Sequence, residues 1–246
     1  MRFCILVSYD EVYKRMATYS VDLNIKKYCE KHGYDLHVDY QDKFSNYRPA
    51  QWQKIRAARE VLETGKYDWV FYLDTDCLIM NSDIKLESLV DDNYSFIVPA
   101  HSVKAPDTPI IVVPNVRNII SSQFFVKNSE VGINILDDIW FAKNNSQIDK
   151  FDYEGRQIRI IINSRKYEND IKIVEEHLLN RFWYINNPFI LSSFKGVSNL
   201  IWKPGDFIVH VTGYTVDEKV KLLSDLNFFS KINHGYDETG LRSICQ

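Results

Sequence analysis

No apolar run in the 246-residue chain approaches the ~20 residues that a helix needs to span a bilayer. The apolar stretch that follows Met1-Arg2 is short and runs straight into Tyr9-Asp10-Glu11, with no small-residue cleavage site behind it. It reads as a buried strand and not as a secretory leader. Cysteine is scarce: Cys4, Cys29, Cys77 and Cys245 are too few for a disulfide scaffold and lack the paired spacing of a zinc site. The expected compartment is therefore reducing and cytoplasmic. A basic excess is also missing. Thirty Lys and Arg face 33 Asp and Glu, for a net charge of −3, which argues against duplex nucleic acid as a partner. Ser8-Tyr9-Asp10-Glu11-Val12 holds no glycine and no basic residue, so a Gly-rich phosphate loop is excluded there. Low-complexity linkers and internal repeats are absent too, and one domain is the simplest expectation.

What is present belongs to a globular protein, with 45% apolar and 26% charged residues. Aromatics reach 14%, enough for a large aromatic core or for an aromatic-lined cleft that takes flat or sugar-like ligands. Residues 3–8 predict a strand. Val12, Met16, Tyr19, Leu23 and Tyr28 recur at helical spacing, and Gly33 is a natural left-handed stop. Tyr34 to Tyr40 alternates as a strand, and Gln51 to Leu62 returns to helical spacing. Trp69 to Leu73 is apolar throughout, as in a strand covered on both faces. Further on, Ser102 to Pro114 reads as a loop, Phe124 to Val126 as a strand and Val131 to Phe141 as a helix. Ile158 to Ile162 is a β-branched run flanked by charge, and Phe207 to Val211 is a late strand. Strand, helix, strand, helix, buried strand is the order of a doubly wound α/β sheet. Ligands in such sheets sit beyond the carboxyl ends of the strands. Ser8-Tyr9 and Asp74-Thr75-Asp76 both lie at such ends.

Asp74 and Asp76 terminate a buried strand. Carboxylates there need partners. They are either turn formers or hard oxygen donors for Mg²⁺ or Mn²⁺, ions that also take phosphate oxygens. His210, inside Ile208-Val209-His210-Val211, taken alone reads as a satisfied core histidine.

Several segments in order resemble the family 34 glycosyltransferases, which include xyloglucan xylosyltransferases and fungal galactosyl- and mannosyltransferases. They are Leu73-Asp74-Thr75-Asp76 with Leu78-Ile79-Met80-Asn81, Asn24-x-x-x-Tyr28-x-x-x-His32-Gly33-Tyr34, and Trp52-Gln53-Lys54-Ile55. Phe125-Val126-Lys127-Asn128, Glu175-Glu176-His177 and Gly205-Asp206-Phe207-Ile208-Val209-His210-Val211-Thr212-Gly213 complete the set. The resemblance covers roughly residues 3 to 215 and is tightest in the first and last of these segments. It implies a GT-A type, Rossmann-like nucleotide-binding sheet with helices on both faces, in a single domain over residues 1–246. Residues 1–100 would form the nucleotide- and metal-binding half, and 101–246 the acceptor-binding half with a C-terminal helix.

The resemblance also implies the chemistry. A sugar would pass from a nucleotide diphosphate donor, UDP favoured, to a glycan hydroxyl with retention at the anomeric carbon. Mn²⁺ or Mg²⁺ would be held by Asp74, Asp76 and His210. Ser8, Tyr9, Lys54, Thr75 and Gly213 would border the nucleotide, and Glu175, Glu176 and His177 the reacting sugar and acceptor. Three positions depart from the family. Ser122 stands where relatives have glycine, His177 replaces glutamine, and Thr215 replaces a lysine expected on the diphosphate, with Lys219 one helical turn further on. Family relatives usually carry a membrane anchor before this domain, and none is expected here. The rival readings are a sugar-nucleotide or glycan-binding module without turnover, left open by those departures, and a sugar-1-phosphate nucleotidyltransferase, disfavoured by the glycine-free first turn.

Overall fold

Side-chain alternation along the central strands divides the interior between two faces. The computed structural model describes residues 1–41, 48–100, 119–142, 153–183 and 201–233. Its strands are β1 (Phe3–Asp10), β2 (Asp35–Gln41), β3 (Trp69–Leu73), β4 (Cys77–Ile79), β5 (Phe96–Ala100), β6 (Gln123–Lys127), β7 (Ile171–Glu175), β8 (Arg181–Phe182) and β9 (Ile208–His210). The helices are α1 (Lys14–Ala17), α2 (Lys26–His32), α3 (Gln53–Glu63), α4 (Glu130–Trp140), α5 (Tyr153–Ser164), α6 (Glu176–Leu179) and α7 (Val216–Phe229).

Six strands form a sheet in the order β2-β1-β3-β6-β5-β7. β6 runs antiparallel to both of its neighbours, and the remaining pairs are parallel. The carboxyl ends of β1, β3, β5 and β7 thus share one edge. On one face Cys4, Leu6, Val70, Tyr72, Phe124 and Val126 pack with α3, α4 and α5. On the other, Phe3, Ile5, Phe71 and Phe125 meet the first helical stretch and Phe207. Phe71 and Phe125 stack with ring centroids 4.2 Å apart across the β3–β6 pair. Each such fully buried side chain contributes about 1.5–3 kcal/mol.

A smaller sheet, β4-β9-β8, packs on α7 through Leu78, Val209, Leu223 and Leu226. The outer edge of β4 is closed by a side chain. Asn24 accepts from the Ile79 N–H at 2.8 Å and donates to the Ile79 carbonyl at 3.0 Å. Asn24 lies in a π-helical stretch, Thr18–Ile25, that joins α1 to α2. Such stretches re-aim side chains within a helix. The Asn24 bonds anchor the strand that follows the Asp74–Asp76 turn. Gly33 ends α2 with φ of +73°, as its position predicts.

The Ile158–Ile162 run is helical, within α5. Ile158 and Ile161, three residues apart, face the core, a helical period that outweighs β-branching. The loop read over Ser102–Pro114 lies outside the described residues.

Candidate metal and nucleotide site

The turn between β3 and β4 is fixed by backbone bonds. Asp74 N–H donates to the Ser122 carbonyl at 2.9 Å, and Cys77 N–H to the Asp74 carbonyl at 3.1 Å. β4 then pairs antiparallel with β9 in a register that sets Cys77 opposite His210. Val211 N–H donates to the Asp76 carbonyl at 2.8 Å. Residues far apart in sequence are thereby brought side by side by strand pairing, and the Asp76 and His210 side chains meet.

His210 Nε2 lies 3.2 Å from Asp76 Oδ1, and Lys219 Nζ lies 2.7 Å from Asp76 Oδ2. Burial alone would raise the Asp76 carboxyl. His210 and Lys219 outweigh it and hold the group well below the usual carboxylate range. Lys219 stays charged for the reciprocal reason: burial lowers its pKa, but Asp76 more than restores it. Lys219 sits in the first turns of α7, whose start is set by a capping box. Thr215 accepts from the Glu218 N–H, and the Glu218 carboxylate accepts from the Thr215 N–H at 2.8 Å.

The other nitrogen of His210 faces Asn180, which immediately precedes β8. Nδ1 and Asn180 Oδ1 are 3.0 Å apart, with Ser122 Oγ at 3.5 Å. With the Asn180 oxygen as acceptor, the proton sits on Nδ1. Nε2 then meets Asp76 either with a second proton or with a lone pair. A lone pair facing a carboxylate oxygen calls for a cation between them. Cys77 also brings its sulfur within 4.8 Å of these donors. Deep burial pushes its thiol far up, however, and Gln123 Nε2 donates to the sulfur at 2.8 Å. A protonated thiol is a poor metal ligand. The remaining carboxylate and imidazole fit a hard or borderline ion such as Mg²⁺ or Mn²⁺.

Asp74 has different partners. Tyr72 OH donates to its Oδ1 at 2.6 Å, and Lys54 Nζ stands 3.0 Å from the same oxygen. Lys54 also meets Glu154 Oε1 at 2.9 Å. Burial would lower the Lys54 pKa, but Asp74 and Glu154 together push it above the ordinary lysine value.

Of the residues singled out in the sequence, Ser8, Tyr9, Lys54, Asp74, Thr75 and Asp76 line one cleft, together with Asp10, Tyr13 and Lys219. His210 stands directly behind Asp76. Gly213 takes φ of +82° where the chain passes from β9 towards α7. Glu175 and His177 do not line the cleft. Glu175 ends β7 at the sheet edge, and its Oε2 lies 3.2 Å from His177 Nδ1, both side chains well exposed. Glu176 opens α6, and its side chain lies outside the description.

Tyr72, Glu154 and Asn180 were not singled out in the sequence. Tyr72 had a signal, since residues two apart on a strand share a face. Thr215-x-x-Glu218 likewise announced the start of α7. Asn180 and Glu154 had none, because strand pairing and helix packing alone bring them in.

The sequence profile of the galactosyl transferase GMA12/MNN10 family matches residues 8–221. An uncharacterized alpha-1,2-galactosyltransferase of Schizosaccharomyces pombe is 31% identical over 140 residues, 46% of this chain and 37% of that protein. A second alpha-1,2-galactosyltransferase of that yeast is 26% identical over 148 residues, 50% of this chain and 39% of that protein. The match thus spans well under half of either relative. Among solved structures, a glycosyltransferase involved in glycosylation of the major capsid of PBCV-1 superposes with a TM-score of 0.66 at 16% identity, over 91% of this chain and 98% of that one. GlyE of Streptococcus pneumoniae TIGR4 gives 0.55 at 13% identity, over 96% and 66%. At such identities the likeness shows the fold, which is of the GT-A type.

Proposed function

The chain belongs to the galactosyl transferase GMA12/MNN10 family, and from that membership we propose a metal-dependent, retaining glycosyltransferase that moves a sugar from a UDP-sugar to a glycan hydroxyl. The observation that carries the reading is the buried contact between Asp76 and His210 at the wall of a cleft lined by Ser8 and Tyr9. Asp76 and His210 would hold Mn²⁺ or Mg²⁺, with Asp74 beside them. The ion supplies positive charge against a diphosphate leaving group.

The chain's own residues divide the remaining work. Ser8 and Tyr9, at the carboxyl end of β1, border the base. Thr75 is buried at the turn, and Gly213 lets the chain bend so that α7 presents Lys219 towards the diphosphate. Glu175 and His177 stand at a strand end on the same sheet edge, where Glu176 would orient the acceptor. The mechanism proposed is same-face attack and not a glycosyl-enzyme intermediate, which would need a carboxylate close under the anomeric carbon. In same-face attack the acceptor oxygen bonds the anomeric carbon as the bond to the diphosphate breaks, and the leaving diphosphate oxygen takes the acceptor proton. Among the described residues Cys4, Cys29 and Cys77 are free and buried. Among the described residues no helix is long and apolar enough to cross a membrane.

The test is a panel of UDP- and GDP-sugars with Mn²⁺, followed by release of nucleoside diphosphate and NMR of the first product anomer. Turnover of a UDP-sugar with retention supports the reading. An inverted product overturns the mechanism, and binding without turnover makes the protein a sugar-nucleotide-binding module.

A further inference from the structure

Lys54 spends its ammonium inside the protein. Its three hydrogens have three acceptors close by: Asp74 Oδ1 at 3.0 Å, Glu154 Oε1 at 2.9 Å and the Ser121 carbonyl at 3.4 Å. The Lys54 side chain is 7% exposed and that of Glu154 4%, against 28% for Asp74. An ammonium so engaged has no hydrogen left for a phosphate oxygen. It instead joins a carboxylate that reaches the cleft to one that does not. Glu154 comes from α5, in the second half of the chain, whereas Lys54 and Asp74 come from α3 and the β3–β4 turn.

Without Glu154, the ammonium would lose its inner anchor and could swing away with Asp74 or from it. Asp74 would then keep only the Tyr72 hydroxyl at 2.6 Å. We propose that Glu154 is a positioning residue, which through the Lys54 ammonium fixes the Asp74 carboxylate in the wall of the cleft and ties the second half of the chain to the nucleotide half. The consequence for nucleotide binding rests on the function proposed above; the positioning of Asp74 does not.

The experiment compares Lys54→Met, Glu154→Met and the double variant by thermal unfolding, by calorimetry with UDP and Mn²⁺, and by crystallography. Removing one member of a buried pair strands the other charge, whereas removing both does not. The single variants therefore lose thermal stability, and the double variant recovers it. Asp74 keeps only the Tyr72 hydroxyl in the double variant, so UDP binding with Mn²⁺ remains ~10–100-fold weaker than in the wild type, and the crystal structure shows the Asp74 carboxylate moved. Wild-type affinity in a stable double variant, with Asp74 in place, would overturn the proposal. A wild type that binds no UDP would defeat the functional reading alone, and the crystal structure would still decide whether Asp74 depends on the pair. If the double variant does not fold, Glu154→Gln and Glu154→Met carry the test. Gln keeps an acceptor for Lys54, so its UDP affinity falls less than that of Met. Equal affinity in both and in the wild type would sink the idea.

Discussion

Lys219 Nζ and His210 Nε2 bracket the Asp76 carboxylate, at 2.7 Å from Oδ2 and 3.2 Å from Oδ1. A buried carboxylate needs compensating charge, and Lys219 supplies it. The ammonium thus stands where it would oppose a divalent cation bound to the same carboxylate.

Lys219→Met is therefore expected to bind Mn²⁺ alone more tightly than the wild type, by about tenfold, because one unit of opposing charge is removed at close range. The same variant should bind UDP more weakly when Mn²⁺ is saturating. Calorimetry with each ligand separates the two effects. Weaker binding of Mn²⁺ alone would show that Lys219 assists the ion and does not oppose it.

Asn180 orients His210 from the far side of the ring, at 3.0 Å from Nδ1. Hydrogen bonds behind a ligating histidine typically matter ~10–100-fold in metal affinity. Asn180→Ala should weaken Mn²⁺ binding by that factor, and Asn180→Asp should weaken it less because an acceptor remains. Unchanged affinity in both would mean that strand pairing alone holds the ring.

Much of this arrangement was legible in the sequence. The all-apolar Trp69–Leu73 run marked the central strand, and the acidic pair after it marked the edge where the cleft lies. Gly33 marked the end of α2. The reversed direction of β6 was not legible, because strand patterning carries no sign of parallel or antiparallel pairing. The edge strand β7 and its inner neighbour β5 were missed. Ile171–Glu175 is only partly buried and has no clean alternation. Lys54 illustrates the limit for site residues. The resemblance set it at the border of the nucleotide, but its engagement by Asp74 and Glu154 depends on the docking of α5, which no local pattern encodes.

Asp83 ties α2 to the segment that follows α7. Lys231 and Lys31 both donate to its carboxylate, the latter at 2.8 Å. Lys231 first and Lys31 second hold its pKa down at about 2, from 3.8. A carboxyl depressed on folding stabilises the fold above its unfolded pKa, and that stabilisation is lost as pH falls through the folded value. Asp83→Asn should therefore lower the thermal midpoint at about pH 5 and converge with the wild type near about pH 2. A difference that persists undiminished at the lower pH would rule out this ion pair as its source.

The most direct measurement is calorimetric titration of UDP into the wild type, Asp76→Asn and His210→Ala, each with Mn²⁺ and with chelator. If Asp76 and His210 hold the ion that recruits the diphosphate, the wild type binds UDP only with Mn²⁺. Both variants should then lose that dependence together with at least about tenfold in affinity. Equal UDP affinity with and without Mn²⁺ in the wild type, or unchanged metal dependence in the two variants, would contradict the assignment.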